Sequence, residues 1–499
     1  MQRLNRTKPA SSFLVQLRTM LASVALGSLL PTGCGGTAGP PPAVPEKPLH
    51  GTTLKMSCPS ARLRSLLEPM TRVWSSQTGA KVEVQSDPMI ANDGGDIGII
   101  PFAELGTWAD RGDLLPIPAS LRETGHPFQW SAIHSVYRSE PYAGWGGQTF
   151  GLPLAAEGSL ILYRADRFAD PQSNEAFRKR FNRSLAAPAS WEEFADTATF
   201  FAERDRRPSL PRFADDPDRL EELFYRVSAN YDRLARTGDA AENSESLSFQ
   251  FRLDTGKPRL DGAGFATAAR WLASLKEHGC IPPEGSTDPV AALNEDRAVL
   301  AVLTMDDLAR LQRDGRMPAR YSVAALPGTR SVADPATGSM VATPGNFMPY
   351  FAGGWLGVVR RGCKNPDAAF ALLAELGGPV RSQEIVAAGG FGPLRDTHLE
   401  ADRLPIWLGY GFDEPRSRAL QEALRSNLGK SVRNPAYGLR IPDHAKWDAA
   451  LRTELKAIAN GEVKPDEGMK RVVAAWDRAN AAIPPERLKD WLRRAAGLN

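Results

Sequence analysis

Cysteine is scarce in this chain: four in 499 residues, at Cys34, Cys58, Cys280 and Cys363. They lie far apart and form no Cys-x-x-Cys pair, so they build neither a disulfide framework nor a thiolate metal site. Free, buried thiols are expected for the last three. Histidine is almost as sparse. The six, at positions 50, 126, 134, 278, 398 and 444, are scattered, without His-Glu-x-x-His or another ligand spacing. No Gly-x-Ser-x-Gly elbow is present. Gly429-Lys430-Ser431 ends like a phosphate-binding loop, but position 424 is Leu where Gly is required, and no strand precedes it. Neither a metal nor a cofactor is expected. Charge of one sign is lacking too: 61 Lys plus Arg face 58 Asp plus Glu, a formal +3. Four of the basic residues, Arg3, Arg6, Lys8 and Arg18, stand in the first 33 residues, and without that segment 57 face 58, a net of −1. That balance excludes a nucleic-acid partner, which needs a basic surface. Past residue 34, no apolar run approaches the ~20 residues that cross a bilayer.

What the front of the chain does have is a basic start followed by Met20-Leu-Ala-Ser-Val-Ala-Leu-Gly-Ser-Leu-Leu30. About a dozen apolar residues suit a signal peptide and are too few for a membrane span. Leu30-Pro-Thr-Gly-Cys34 then resembles a lipobox, in which cleavage leaves Cys34 to be lipidated. Pro31 departs from that pattern, so ordinary signal-peptidase cleavage stands beside it. Residues 35–48 are a Pro/Gly tether. The expected organisation is a signal peptide over 1–33, a lipid-anchored tether over 34–50, and a soluble body in the cell envelope.

That body, about 450 residues, exceeds one ordinary core and predicts two domains. Residues 54–58, 81–85 and 95–101 read as strands and 61–77 as a helix, with a kink expected at Pro69. The order suggests a mostly parallel sheet covered by helices. Helices are expected over 191–204, 217–236 and 263–278, the first opened by a capping box at Ser190 and Glu193. Residues 298–304 and 321–328 read as strands. Ala, Leu, Lys and Glu dominate from about 415 onward and predict helices to the end.

Two stretches are the most specific. Phe150-Gly-Leu-Pro-Leu-Ala-Ala-Glu157 runs into Ser-Leu-Ile-Leu-Tyr163, a buried strand with an acid at its opening. Gly353-Gly-Trp355-Leu-Gly-Val-Val-Arg-Arg361 leads into Lys364-Asn-Pro-Asp-Ala-Ala369, where Asn365 suits a cap and Pro366 the first helical position. Together these resemble the first and second inter-domain crossovers of bacterial extracellular solute-binding proteins of family 1, the maltose-binding-protein-like group. A third crossing falls near Gly390-Phe-Gly-Pro-Leu-Arg395. The resemblance implies an α/β fold of two lobes, with 51–153 plus 354–392 as the first and 154–353 plus 393–499 as the second. It also implies hinge closure over a small molecule, a sugar in this group, by a monomer that delivers it to the permease subunits of an ABC importer.

Carbohydrate binding needs directed hydrogen bonds for hydroxyls and flat apolar area for C–H faces. Glu157 fits by position. Trp355 lies where the resemblance implies an aromatic against the sugar; an ordinary core tryptophan is the other reading. Phe102 follows the third strand, as cleft wall or core. Asp306 follows the 298–304 strand; the family often carries an aromatic near there, but Leu308 stands in that neighbourhood. Trp447 resembles an aromatic on a C-terminal helix that reaches the cleft, with interhelical packing as its alternative. Tyr437 and Arg440 precede it in a loop. Trp145 sits in a Gly-rich loop before the first crossover. A secreted carbohydrate-active enzyme, with Glu157 and Asp306 as its acid pair, and a ligand-presenting sensor lipoprotein remain as alternatives.

Overall fold

The computed structural model describes residues 47–87, 95–237, 244–313 and 320–498. The signal segment, Cys34 and most of the tether lie outside them. Among the described residues, no helix is long and apolar enough to cross a membrane.

The first sheet holds β1 (Thr53–Ser57), β2 (Lys81–Gln85), β3 (Ile97–Pro101) and β4 (Leu114–Leu115). A small hairpin follows, β5 (Gly144–Trp145) with β6 (Gln148–Thr149), and then β7 (Leu152–Ala155) and β8 (Ser159–Arg164). Further along come β9 (Leu300–Thr304), β10 (Tyr321–Ala324), β11 (Thr329–Ala333), β12 (Met340–Asn346), β13 (Tyr350–Phe351), β14 (Trp355–Arg360) and β15 (Ala436–Tyr437). The sheet order is β2-β1-β3-β14-β4, with β7 also on β14. Strands β2, β1 and β3 run parallel, but β14 is antiparallel to β3, β4 and β7. The sheet is therefore mixed rather than mostly parallel. Strand β14 enters from the far end of the chain, so no crossover helix dictates its direction.

The helix Ala61–Thr78 is capped by the Ser60 hydroxyl, which accepts from the Leu63 amide at 3.2 Å, and ends at Gly79 with φ +83°. The helix is not interrupted at Pro69 but runs through it. An interior proline costs ~3 kcal/mol. Leu63, Leu67, Met70 and Trp74 are buried along the helix, at ~1.5–3 kcal/mol per large apolar side chain, and that outweighs the loss.

The second sheet is antiparallel, with β8 between β9 and β10. The helices Pro217–Asp232, Ala263–Glu277, Ala445–Asn460 and Pro465–Ala481 pack on one another beside it. The capping box at Ser190 is present: its hydroxyl accepts from the Glu193 amide at 3.2 Å, while Glu193 reaches the Ala189 amide at 2.9 Å. Asn365 makes no side-chain cap, although helix Pro366–Leu376 starts at the expected proline. Cys58, Cys280 and Cys363 are free and buried. The last helix, Pro485–Ala495, packs against helix Glu140–Ala143 and β5, and Arg487 pairs with Asp110 at 2.6 Å.

Candidate functional site

Three chain passages meet between the two sheets. The first runs from β7 to β8 through Glu157. The second runs from β13 to β14, where Trp355 pairs in register with both Ala155 and Pro101. The third passes Gly392, whose amide donates to the Ala156 carbonyl at 2.8 Å. Two glycines make this meeting possible. A Cβ on Gly353 would collide with the Glu157 carboxylate, and Gly354 has φ +105°, where a side chain would also meet the Tyr142 hydroxyl. The Tyr142 hydroxyl in turn donates to the Gly353 carbonyl at 2.8 Å.

The passages open onto a cleft of about 230 Å³ lined by Glu157 and a half-buried Trp355, with one wall from helix Pro217–Asp232 and another from Ala445–Asn460. Glu157 is exposed to the cleft, although protein packs closely around it. Burial and the neighbouring Glu222 carboxylate raise its pKa to about 7; the Arg226 guanidinium and the Gly354 amide oppose this. Facing it are Asp218, Glu221, Glu222 and Tyr225, at helical spacing on one helix, then His444 and Asp448 at i,i+4. His444 Nδ1 lies 2.6 Å from Asp448, and Nε2 lies 3.8 Å from Glu104 beyond β3. Burial alone would depress His444, but these two carboxylates reverse it and raise the imidazole to about 9. Glu221 is pushed upward by burial and by Asp448, against Arg452, which pairs with it.

Residues 79–404 match the family model described as bacterial extracellular solute-binding protein, well over half of the chain. This chain belongs to that family. Solved structures of similar fold include the GacH receptor of Streptomyces glaucescens, described unliganded and with acarbose (15% identity, 86% of this chain and 98% of that one, TM-score 0.58). Others are the sugar-binding protein MalE of Xanthomonas citri (15%, 86% and 98%, 0.61) and an ABC transporter solute-binding protein of Agrobacterium radiobacter in complex with ribitol (14%, 88% and 100%, 0.61). At such identities the likeness is one of fold: two-lobed and α/β. No curated protein sequence matches significantly.

Against this solute-binding frame, the sequence-predicted residues separate. Glu157 and Trp355 share the cleft. Phe102 does not line it; fully buried, it stacks on Tyr142 at 4.8 Å inside the first lobe. Trp447 is also fully buried, donating from Nε1 to Asn480 at 3.0 Å between helices. Trp145 is buried beneath Arg440, 5.8 Å from the guanidinium. Arg440 itself is buried and holds three carbonyls, of Gly144 (2.7 Å), Glu140 (3.1 Å) and Ala495 (3.0 Å). Together with Tyr437 it lines a separate cavity of about 250 Å³. Asp306 is not among the residues lining the cleft; it pairs with Arg62 of helix Ala61–Thr78 and with Arg310 at 3.7 Å. The Glu157–Asp306 acid pair is thus not assembled in one pocket. The sequence reading missed Glu221, Glu222, Tyr225, His444 and Asp448. Their signal was present as carboxylates and a tyrosine at i,i+4 on one helix and His-x-x-x-Asp on another, patterns that also describe a solvated face.

Proposed function

We propose that this protein captures a carbohydrate in the cleft between its lobes and delivers it to an ABC-type importer. The observation that carries the reading is the joint placement of Glu157 and Trp355, a hydrogen-bonding carboxylate and an apolar face, at the meeting of the inter-lobe passages. Acarbose and ribitol complexes, and a sugar-binding protein, among proteins of the same fold support it. The work is binding and hinge closure without covalent chemistry. The first lobe comprises 51–153 and 354–392, and the second comprises 154–353 and 393–499, whose last helix, Pro485–Ala495, also docks on the first. A signal peptide over 1–33 exports the chain. Cys34, lipidated, holds a monomeric body near the membrane through the tether, and its substitution by serine moves the protein from the membrane fraction to the soluble one.

The test is a thermal-shift and calorimetric screen of the full chain against sugars, with chromatography of the ligand afterwards. A true ligand raises stability as RT ln(1 + [L]/Kd) and is recovered unchanged. Trp355→Ala and Glu157→Ala each weaken binding while the lobes stay folded. Consumption of the ligand, or wild-type affinity in both variants, overturns the reading.

A further inference from the structure

The charges of the cleft are unbalanced. Five carboxylates line it, Glu157, Asp218, Glu221, Glu222 and Asp448, against Arg452 and His444. Each nearby cation is already engaged. Arg452 pairs with Asp218 at 2.8 Å and with Glu221, His444 with Asp448 at 2.6 Å, and Arg226, which lines a smaller pocket with Glu157, pairs with Glu222 at 3.0 Å. Glu157 makes no ion pair among the described residues, and it sits close enough to Glu222 for their charges to oppose one another. A second, independent feature lies in the same wall. The Tyr225 hydroxyl, on a side chain only 1% exposed that belongs to the cleft lining, has no hydrogen-bond partner among the described residues. A buried hydroxyl left unpaired costs free energy until a partner arrives. Trp355 adds a π face that attracts cations as well as C–H groups.

Ligand classes fare differently here. An anionic ligand meets Glu157 and the carboxylates of helix Pro217–Asp232. A neutral sugar satisfies hydroxyls and the Trp355 face but leaves Glu157 opposed to Glu222. An ammonium group near Glu157 compensates that charge and makes a charge-assisted hydrogen bond, the stronger kind.

We propose that the cleft selects an amine-bearing sugar, a hexosamine-type ligand whose ammonium lies against Glu157 and whose ring face lies on Trp355. This rests on the reading that the cleft takes a carbohydrate. The experiment is calorimetry on the full chain at low salt. The probes are glucosamine, galactosamine and mannosamine, their neutral parents glucose, galactose and mannose, the pair chitobiose and cellobiose, and spermidine as a cation that is no sugar. An amine form is expected to bind tighter than its neutral partner by about tenfold or more, the worth of one charged hydrogen bond. Added salt erodes that margin, and Glu157→Gln, of equal size, removes most of it. A neutral sugar bound as tightly as its amine, or a preference that survives Glu157→Gln, overturns the inference and leaves the carbohydrate reading standing. Spermidine bound while every sugar is ignored, or no probe bound at all, overturns the carbohydrate reading and the inference with it.

Discussion

Glu157 carries a pH signature. Its neighbours are Glu222 and Arg226 from helix Pro217–Asp232, Tyr137 and Tyr142 from the first lobe, and Tyr350 in β13, with His444 and Asp448 across the cleft. Because its carboxyl is raised to about 7, binding a ligand that needs the ionised form expels a proton at lower pH. Affinity therefore falls with acidification, approaching tenfold per pH unit below about 7. Calorimetry over roughly pH 5.5 to 8 reads this slope, and Glu157→Gln flattens it. The tryptophans provide a paired prediction. Trp355→Ala weakens binding with little change in Tm, whereas Trp447→Ala costs stability, about 3–5 kcal/mol for a buried Trp. Loss of ligand affinity in a stably folded Trp447→Ala would count against this division. Glu157 and Trp355 were legible in the sequence because glycine, proline and strand signals mark the crossovers around them. Phe102, Trp145, Trp447 and Arg440 were not, because a large residue near a strand end or loop looks the same whether it faces a cleft or a core. Only packing makes the distinction.

At the scale of elements, helix Ala445–Asn460 opens with His444 held between Asp448 and Glu104. An imidazole raised from its usual 6.5 to about 9 stabilises the fold fully below its unfolded pKa, and that contribution is lost as pH rises through 9. His444→Gln is expected to lower stability at about pH 6 by roughly 1–3 kcal/mol, as for a charged hydrogen bond. At about pH 10 it should do much less. Denaturant melts at both values check this; an equal loss at both refutes the charged pairing. His398 acts in the opposite sense. Burial depresses it to about 3, with Arg395 nearby, while its Nδ1 accepts from the Leu394 amide at 3.2 Å. It resists protonation in the fold and so favours unfolding as pH drops below 6.5. Most helices could be read from capping residues and apolar spacing. The hairpin of β11 and β12 escaped notice because β12 is mostly exposed and carries no apolar alternation. Its partner is chosen by register across a turn, which composition does not record.

For the whole molecule, the two-lobed fold was legible because the crossover motifs are local. The antiparallel placement of β14 was not, since strand direction follows from contacts hundreds of residues apart. An ion pair joins the halves at the start of helix Ala61–Thr78, where Arg62 meets Asp306 after β9. Both side chains are partly exposed, so the pair is worth at most about 1 kcal/mol and is weakened by salt. Arg62→Ala is expected to weaken ligand affinity a few-fold at low salt and to leave it unchanged at high salt. Small-angle scattering should show a larger unliganded radius. Identical affinity and radius at low salt would show that the pair does not favour closure. Strand β14 also bears on the order of synthesis. It lies between β3 and β4 in the first sheet, yet it is made some 250 residues after them. Until the ribosome has produced it, the early strands lack their inner neighbour and the first lobe cannot consolidate. A polypeptide bound for the outside of the cell thus stays threadable through a narrow export channel for most of its translation.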